Sequence, residues 1–302
     1  MRTKITTGSS GRSSAMGIEI RLAKARGFCA GVERALNKVE EALKTGPFPV
    51  YVLHEIVHNE TVVDGLRKRG VIFIDDPAEA QSGVLIFSAH GVSRAVEKQA
   101  AKPGVKVVDA TCPIVKSLHR RMEEFAAAGK TIILFGRNGH REVEGLLGRV
   151  EVPVKVIESE AELEDFLQTA DLSKPYACLS QTTLNAADVE RMTSRLKAAL
   201  PDVTAASEVC HATRERQAAV KELAKSCPVI LVVGSARSSN TRRLYETALA
   251  QGVRAHLLGN AADFRPEWLK GVSRVGITSG ASAPEELVRE LCDRIHLTQK
   301  EE

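Results

Sequence analysis

Three stretches decide the fold: IEIRLAKARGFCAGVERALNKVEEAL from Ile18 to Leu43, VKVVDATCPIVKSLHRRMEEFAAAG from Val105 to Gly129, and DVTAASEVCHATRERQAAVKELAKS from Asp202 to Ser226. Each opens with a strand-like run, turns at a cysteine and continues as an amphipathic helix, with apolar residues three and four apart. Working outward, a second strand follows each helix, beginning at Val50, Thr131 and Val229, which are 21, 19 and 19 residues beyond Cys29, Cys112 and Cys210. A third begins at Val71, Val154 and Ala255, and a fourth at Val84, Tyr176 and Val275. Recurrence of four elements in one order predicts three related α/β units, at 18–108, 109–206 and 207–297. One doubly wound sheet with coincident spacings is the competing arrangement.

In parallel α/β sheets, ligands sit beyond the carboxyl ends of the strands. The turns after the second strands read HEIVHNE, GRNGHREVEG and GSARSSN, and those after the fourth read SAHGVS, SQTTLN and TSGASAP. All six are rich in His, Ser, Thr, Asn or Gly. If the units pack around a pseudo-threefold axis, these turns face one common site.

Composition narrows the function. The 302 residues are 43% hydrophobic and 26% charged, ordinary for a globular protein with a full core. A net charge of +4 and 4% aromatics leave neither the basic surface nor the stacking platforms that nucleic acid needs, whereas a mild basic excess suits a small anion. No apolar run approaches the ~20 residues of a membrane span. Residues 1–17, MRTKITTGSSGRSSAMG, lack the apolar stretch of a secretory signal and read as a disordered leader or tag. Six cysteines without such a signal point to a reducing cytoplasm, so metal ligation or packing, rather than disulfides, accounts for them.

Cys29, Cys112 and Cys210 occupy the same strand-to-helix turn in each repeat, where a helix N-terminus favours the thiolate. Cys178, Cys227 and Cys292 lack that placement and read as packing residues. No CxxC pair is present, which excludes a zinc ribbon or a ferredoxin-type motif. Three thiolates without a fourth fit an iron–sulfur cluster with one open iron; a zinc ion completed by water or histidine also fits. His58, His90 and His140 fall in the site turns. Protonated, and beside Ser238, Ser239, Asn240 and Ser282, they would form an anion pocket with glycine-rich backbone. Glu142 or Glu144 could relay protons if buried, and helix geometry lets only one of them face the site.

Taken together, RGFCAGVERAL, LHEIVHNETVVDGLRKRGVIFID, FSAHGVS, VDATCPIVKSLH, GHREVEG, LSQTTLN, VCHATRERQ, VVGSARSSN and SGASAP resemble the 4-hydroxy-3-methylbut-2-enyl diphosphate reductases over about Ile18–Leu291. The resemblance implies a trefoil-like monomer of three α/β domains around a central 4Fe–4S cluster, or a 3Fe–4S cluster once the iron without a thiolate is lost. It assigns Cys29, Cys112 and Cys210 as cluster ligands and Glu142 as proton donor, with His140 and Thr182 near the substrate hydroxyl and allylic carbon. His58, His90, Ser238, Ser239, Asn240 and Ser282 become the diphosphate pocket, with Thr183 and Thr213 beside the site. The implied reaction is a two-electron, two-proton reductive dehydroxylation of an allylic diphosphate, the last step of the methylerythritol phosphate route, with reduced ferredoxin or flavodoxin as donor. Two positions depart from the family pattern: Arg141 stands where proline is frequent, and Glu215 where asparagine is. A non-catalytic iron–sulfur carrier or redox sensor and a zinc hydrolase are the alternatives from other classes.

Overall fold

The computed structural model describes residues 17–46, 48–206 and 209–301, so the leader lies, but for Gly17, outside the described residues. The first segment runs β1 (Glu19–Leu22), α1 (Ala30–Thr45), β2 (Val50–Leu53), α2 (Glu60–Lys68), β3 (Val71–Ile74), β4 (Gly83–Phe87) and α3 (Arg94–Ala100). The second runs β5 (Val105–Asp109), α4 (Pro113–Ala127), β6 (Thr131–Phe135), α5 (Arg141–Leu147), β7 (Val154–Ile157), α6 (Glu160–Thr169), β8 (Tyr176–Ser180) and α7 (Ala186–Ala199). The third runs β9 (Thr204–Ala206), α8 (His211–Ala224), β10 (Val229–Val233), α9 (Ser239–Ala250), β11 (Arg254–Leu258), β12 (Arg274–Ser279) and α10 (Glu285–Glu301).

These strands form three four-stranded sheets, every pair parallel. The orders are β3-β2-β4-β5, β7-β6-β8-β9 and β11-β10-β12-β1. Each sheet therefore takes its last strand from the segment that leads into the next cysteine. For the third sheet that strand is β1, brought from the start of the chain with Glu19 opposite Arg274 and Leu22 opposite Ile277. Segment 18–108 thus contributes to two sheets, and the three sheets are linked in a ring.

Burial explains the strand sequences. β4, β6, β8 and β10 are near-continuous apolar runs because helices cover both faces of each sheet. In the first sheet, Val52 and Ile86 pack with Val39 of α1 on one face. Leu53, Leu85 and Phe87 pack with Val92 and Ala100 on the other. The same two-sided burial recurs in the second and third sheets. Among the described residues no helix is long and apolar enough to cross a membrane.

Parallel pairing puts the carboxyl ends of the strands, and the starts of the helices that follow them, at one edge of each sheet. Six helices begin on a side chain that accepts a backbone N–H: Asn59, Ser93, His140, Ser159, Asn185 and Ser238. The N-caps of α1, α4 and α8 are Cys29, Cys112 and Cys210, and these make no such bond. Their thiols are left free for another partner.

Ile86 is fully buried in the central strand β4, whereas Ile72 on the edge strand β3 is 43% exposed. Ile86→Ala is expected to lower unfolding free energy by about 2–5 kcal/mol at an unchanged denaturant slope, and Ile72→Ala by about 0.5 kcal/mol or less. Urea melts of both variants check this.

Candidate active site

Cys29, Cys112 and Cys210 line one cavity of about 110 Å³, together with His58, His90, His140, Glu142, Thr182, Ser238, Ser239, Asn240 and Ser282. The structure thus brings every sequence-predicted site residue to one place. Thr183 and Thr213, expected beside the site, line the cavity itself. Cys178 and Cys227 are buried in the cores, and Cys292 packs against one, as packing residues would.

Glu142 is settled against Glu144 by the direction each takes from α5. Glu142 is 2% exposed and accepts from the Thr182 backbone N–H at Oε1 and the Thr182 hydroxyl at Oε2, both at 2.7 Å. The Glu144 side chain is 47% exposed and pairs with Arg141 at 3.0 Å. Arg141 thus pairs with Glu144 on the exposed side of the turn, while Glu142 is buried. Burial raises the Glu142 carboxyl to about 7, with the two Thr182 bonds pulling the other way. A carboxyl that titrates near neutrality can hold a proton and release it.

The three imidazoles form a cluster. The rings of His58 and His90 stack at 4.4 Å, and His140 stands edge-on to both at 5.9 Å. Burial lowers all three, His140 to about 4 and His90 well below its ordinary range; neighbouring cationic groups add to the effect, and at His58 the Glu55 carboxylate, 3.3 Å from Nδ1, opposes it. Each ring is shielded from water and stands beside two others, which favours the neutral imidazole. His140 Nδ1 accepts the Glu142 N–H at 3.1 Å, so neutral His140 carries its proton on Nε2.

Around the start of α9, Asn240 Oδ1 accepts the Ala281 N–H at 2.9 Å, and its buried Nδ2 finds no partner among the described residues. Ser282 donates to the His58 carbonyl at 3.1 Å, which ties the third unit to the first. An orphaned amide donor, serine hydroxyls and a helix N-terminus together favour an anion.

The comparisons agree with this geometry. The family model described as LytB protein matches residues 20–296. The chain belongs to the LytB family. The 4-hydroxy-3-methylbut-2-enyl diphosphate reductase of Desulfotalea psychrophila is 47% identical over 273 residues, 90% of this chain and 87% of the relative. That of Zymomonas mobilis is 44% identical over 281 residues, 92% of this chain and 82% of the relative. Among solved structures, the E-1-hydroxy-2-methyl-but-2-enyl-4-diphosphate reductase from Plasmodium falciparum superposes with a TM-score of 0.87 at 34% identity, covering 92% of this chain and 87% of that one. A second, an (E)-4-hydroxy-3-methyl-but-2-enyl diphosphate reductase described as the terminal enzyme of the non-mevalonate pathway, gives 0.66 at 33% identity, covering 93% and 99%.

LytB proteins are iron–sulfur enzymes, and the residues here suit such a group. Among the described residues, no three His, Cys, Asp or Glu side chains are grouped so as to hold a single metal ion. Membership of a family of iron–sulfur enzymes favours a cluster over the zinc alternative on these three cysteines. Burial raises the Cys112 thiol, the N–H groups of Ile114 and Val115 oppose this, and Cys29 and Cys210 add to it, as expected of sulfurs facing one another. A Cβ on Gly31 would stand 2.8 Å from Cys112 Sγ and 3.8 Å from Cys29 Sγ, so the absence of a side chain there keeps the space beside two sulfurs clear.

Two residues escaped the sequence reading. Arg216 is 5% exposed and donates to the Gly27 carbonyl at 2.9 Å and the Ala212 carbonyl at 3.0 Å, joining the Cys29 turn to the start of α8. Its burial beside Cys29 and Cys210 could not be read from a polar helix segment. Gln181, fully buried after β8, is the other. Glu215 pairs with the exposed His211 at 3.3 Å, and neither lines the cavity.

Gly31→Ala is expected to cut iron retained per chain at least twofold in a folded protein, measured by iron assay beside circular dichroism. Between the unfolded value of 4.5 and the folded value of about 7, the folded state holds the Glu142 proton more tightly, so this contribution to stability declines as pH rises through that window. Glu142→Gln removes the burden of an ionised buried group. It is expected to match the native protein near pH 5 and to exceed it by about 2–3 kcal/mol at pH 8.5, read from denaturant melts.

Proposed function

We propose that this chain catalyses the reductive dehydroxylation of (E)-4-hydroxy-3-methylbut-2-enyl diphosphate to isopentenyl and dimethylallyl diphosphate. The observation that carries the reading is Glu142: a buried carboxyl near pKa 7, fixed by Thr182, in the cavity shared by three free cysteines. The reaction breaks a C–O bond and forms a C–H bond. It consumes two electrons and two protons, and the oxygen leaves as water.

A 4Fe–4S cluster on Cys29, Cys112 and Cys210 would supply the electrons singly and Lewis acidity toward the leaving hydroxyl. Everything else falls to the chain. Ser238, Ser239, Asn240 and Ser282 bind the diphosphate with His58 and His90, which hold it in one orientation. Binding a polyanion favours imidazolium, so rings neutral in the free cavity take up protons as the diphosphate enters. His140 donates through Nε2 near the hydroxyl end. Glu142 delivers protons from its carboxyl, and Thr182 aims that carboxyl. Burial of the cavity excludes water that would otherwise compete as proton source. Reduced ferredoxin or flavodoxin is the proposed donor. The catalyst is proposed to be a monomer, as the family resemblance implies.

Three outcomes test the proposal. Glu142→Gln should lower turnover at least ~100-fold while iron content and KM stay within about threefold; near-normal turnover would remove Glu142 from proton delivery. Cys112→Ser should lose iron and activity together, whereas Cys178→Ser keeps both. Calorimetric titration with inorganic diphosphate in two buffers of different ionisation enthalpy should show net proton uptake near pH 7 and tighter binding as pH falls toward 6. Proton release would contradict the neutral-imidazole assignment.

A further inference from the structure

We infer that Gln181 is a positioning residue that fixes the direction of a hydrogen-bond chain and thereby obliges the Ser239 hydroxyl to act as a donor toward the diphosphate. This rests on the diphosphate reading above and deepens it. Gln181 is completely buried and lies between two of the site turns. At one end, the Arg137 backbone N–H donates to Gln181 Oε1 at 3.0 Å. A backbone N–H can only donate, so the amide cannot flip without setting donor against donor. The amide nitrogen is therefore committed to the other side, where Nε2 donates to Thr183 Oγ1 at 2.9 Å.

The direction then propagates. With its oxygen accepting from Gln181, the Thr183 hydroxyl sends its own proton to Ser239 Oγ, 2.9 Å away. Gln181 Nε2 also faces Ser239 Oγ at 3.5 Å. Ser239 oxygen is thus an acceptor toward the protein on that side. Among the described residues it is found only as an acceptor, so its proton is left for the cavity that Ser239 lines. A serine hydroxyl can ordinarily turn either way, and an anion would have to reorient it on binding. Here the turn is already made, which is preorganisation in its usual sense: no lone pair faces the incoming oxygens and no rotor has to be fixed at that moment.

Gln181 also ties two functions together. The Arg137 turn that it holds leads directly into His140 and Glu142, while Ser239 begins α9. One side chain thus registers the proton-delivering turn against the anion-binding helix.

The test is a double-mutant cycle on the holoenzyme, reading the Kd of inorganic diphosphate by calorimetry together with KM and kcat. Gln181→Leu is expected to weaken diphosphate about tenfold, as for loss of one hydrogen bond to a charged group, with KM rising more than kcat falls. In a Ser239→Ala background the same change should alter Kd less than about twofold, since no hydroxyl remains to be aimed. Additive losses would overturn the inference, because Gln181 would then act without Ser239. If Gln181→Leu unfolds the protein, Thr183→Val breaks the same chain in its middle and is taken through the same cycle, with the same expectation and the same contradicting result. Failure of the unsubstituted enzyme to bind diphosphate would instead defeat the functional reading, and is distinguishable on the first titration.

Discussion

The parallel pairing of β1 with β12 is the contact on which the centre of the molecule depends. Two of the three sheets receive their outer strand from the segment that follows in sequence; the third can be completed only by the first strand of the chain. That long-range pairing links the third sheet to the segment that leads directly into Cys29. With it, three helix N-termini bearing cysteines are held around one cavity. Arg216 reinforces the same join by binding the Gly27 carbonyl. A site divided among three units needs such ties, because no single unit holds more than one sulfur in place.

Inside the cavity, one physical effect dominates the titration of the buried carboxyl and the three imidazoles. Exclusion of water disfavours ionised forms, so the same burial raises Glu142 and lowers His58, His90 and His140. Burial disfavours the Cys112 thiolate in the same way. The cavity carries donors: Asn240 Nδ2, the Nε2 of His140 and the hydroxyls at the start of α9. In the proposed reaction a highly charged substrate would draw protons onto the imidazoles, while the Glu142 carboxyl proposed to give up a proton is held near its midpoint. Stability and chemistry are opposed at Glu142, which is the usual mark of a functional group in a dry environment.

Much of this was legible in the sequence because the repeat makes spacing informative. Cys29, Cys112 and Cys210 separate from the other three cysteines by position alone, and the six polar turns follow from where parallel strands end. The α/β character and the strand starts hold closely, with β6, β8 and β10 spanning the runs read as strands. Sheet membership was not legible: IEIR reads as the opening of its own unit, and nothing local says that it pairs with a strand some 250 residues away. The choice between Glu142 and Glu144 needed the orientation of α5. Gln181 and Arg216 were passed over because their roles depend on contacts across units, which side-chain type does not reveal. The burial that disfavours imidazolium at His58, His90 and His140 was equally illegible, since depth of burial is a property of the assembled ring of sheets.

The central claim is that the fold keeps a proton on Glu142 near neutral pH beside the three cysteines. Difference infrared spectroscopy of the native protein against Glu142→Gln tests it directly. The account predicts a protonated-carboxyl band belonging to Glu142 that disappears with a midpoint near pH 7. A Glu142 band that is absent at pH 6, or that titrates with the midpoint of an ordinary exposed glutamate, would contradict it.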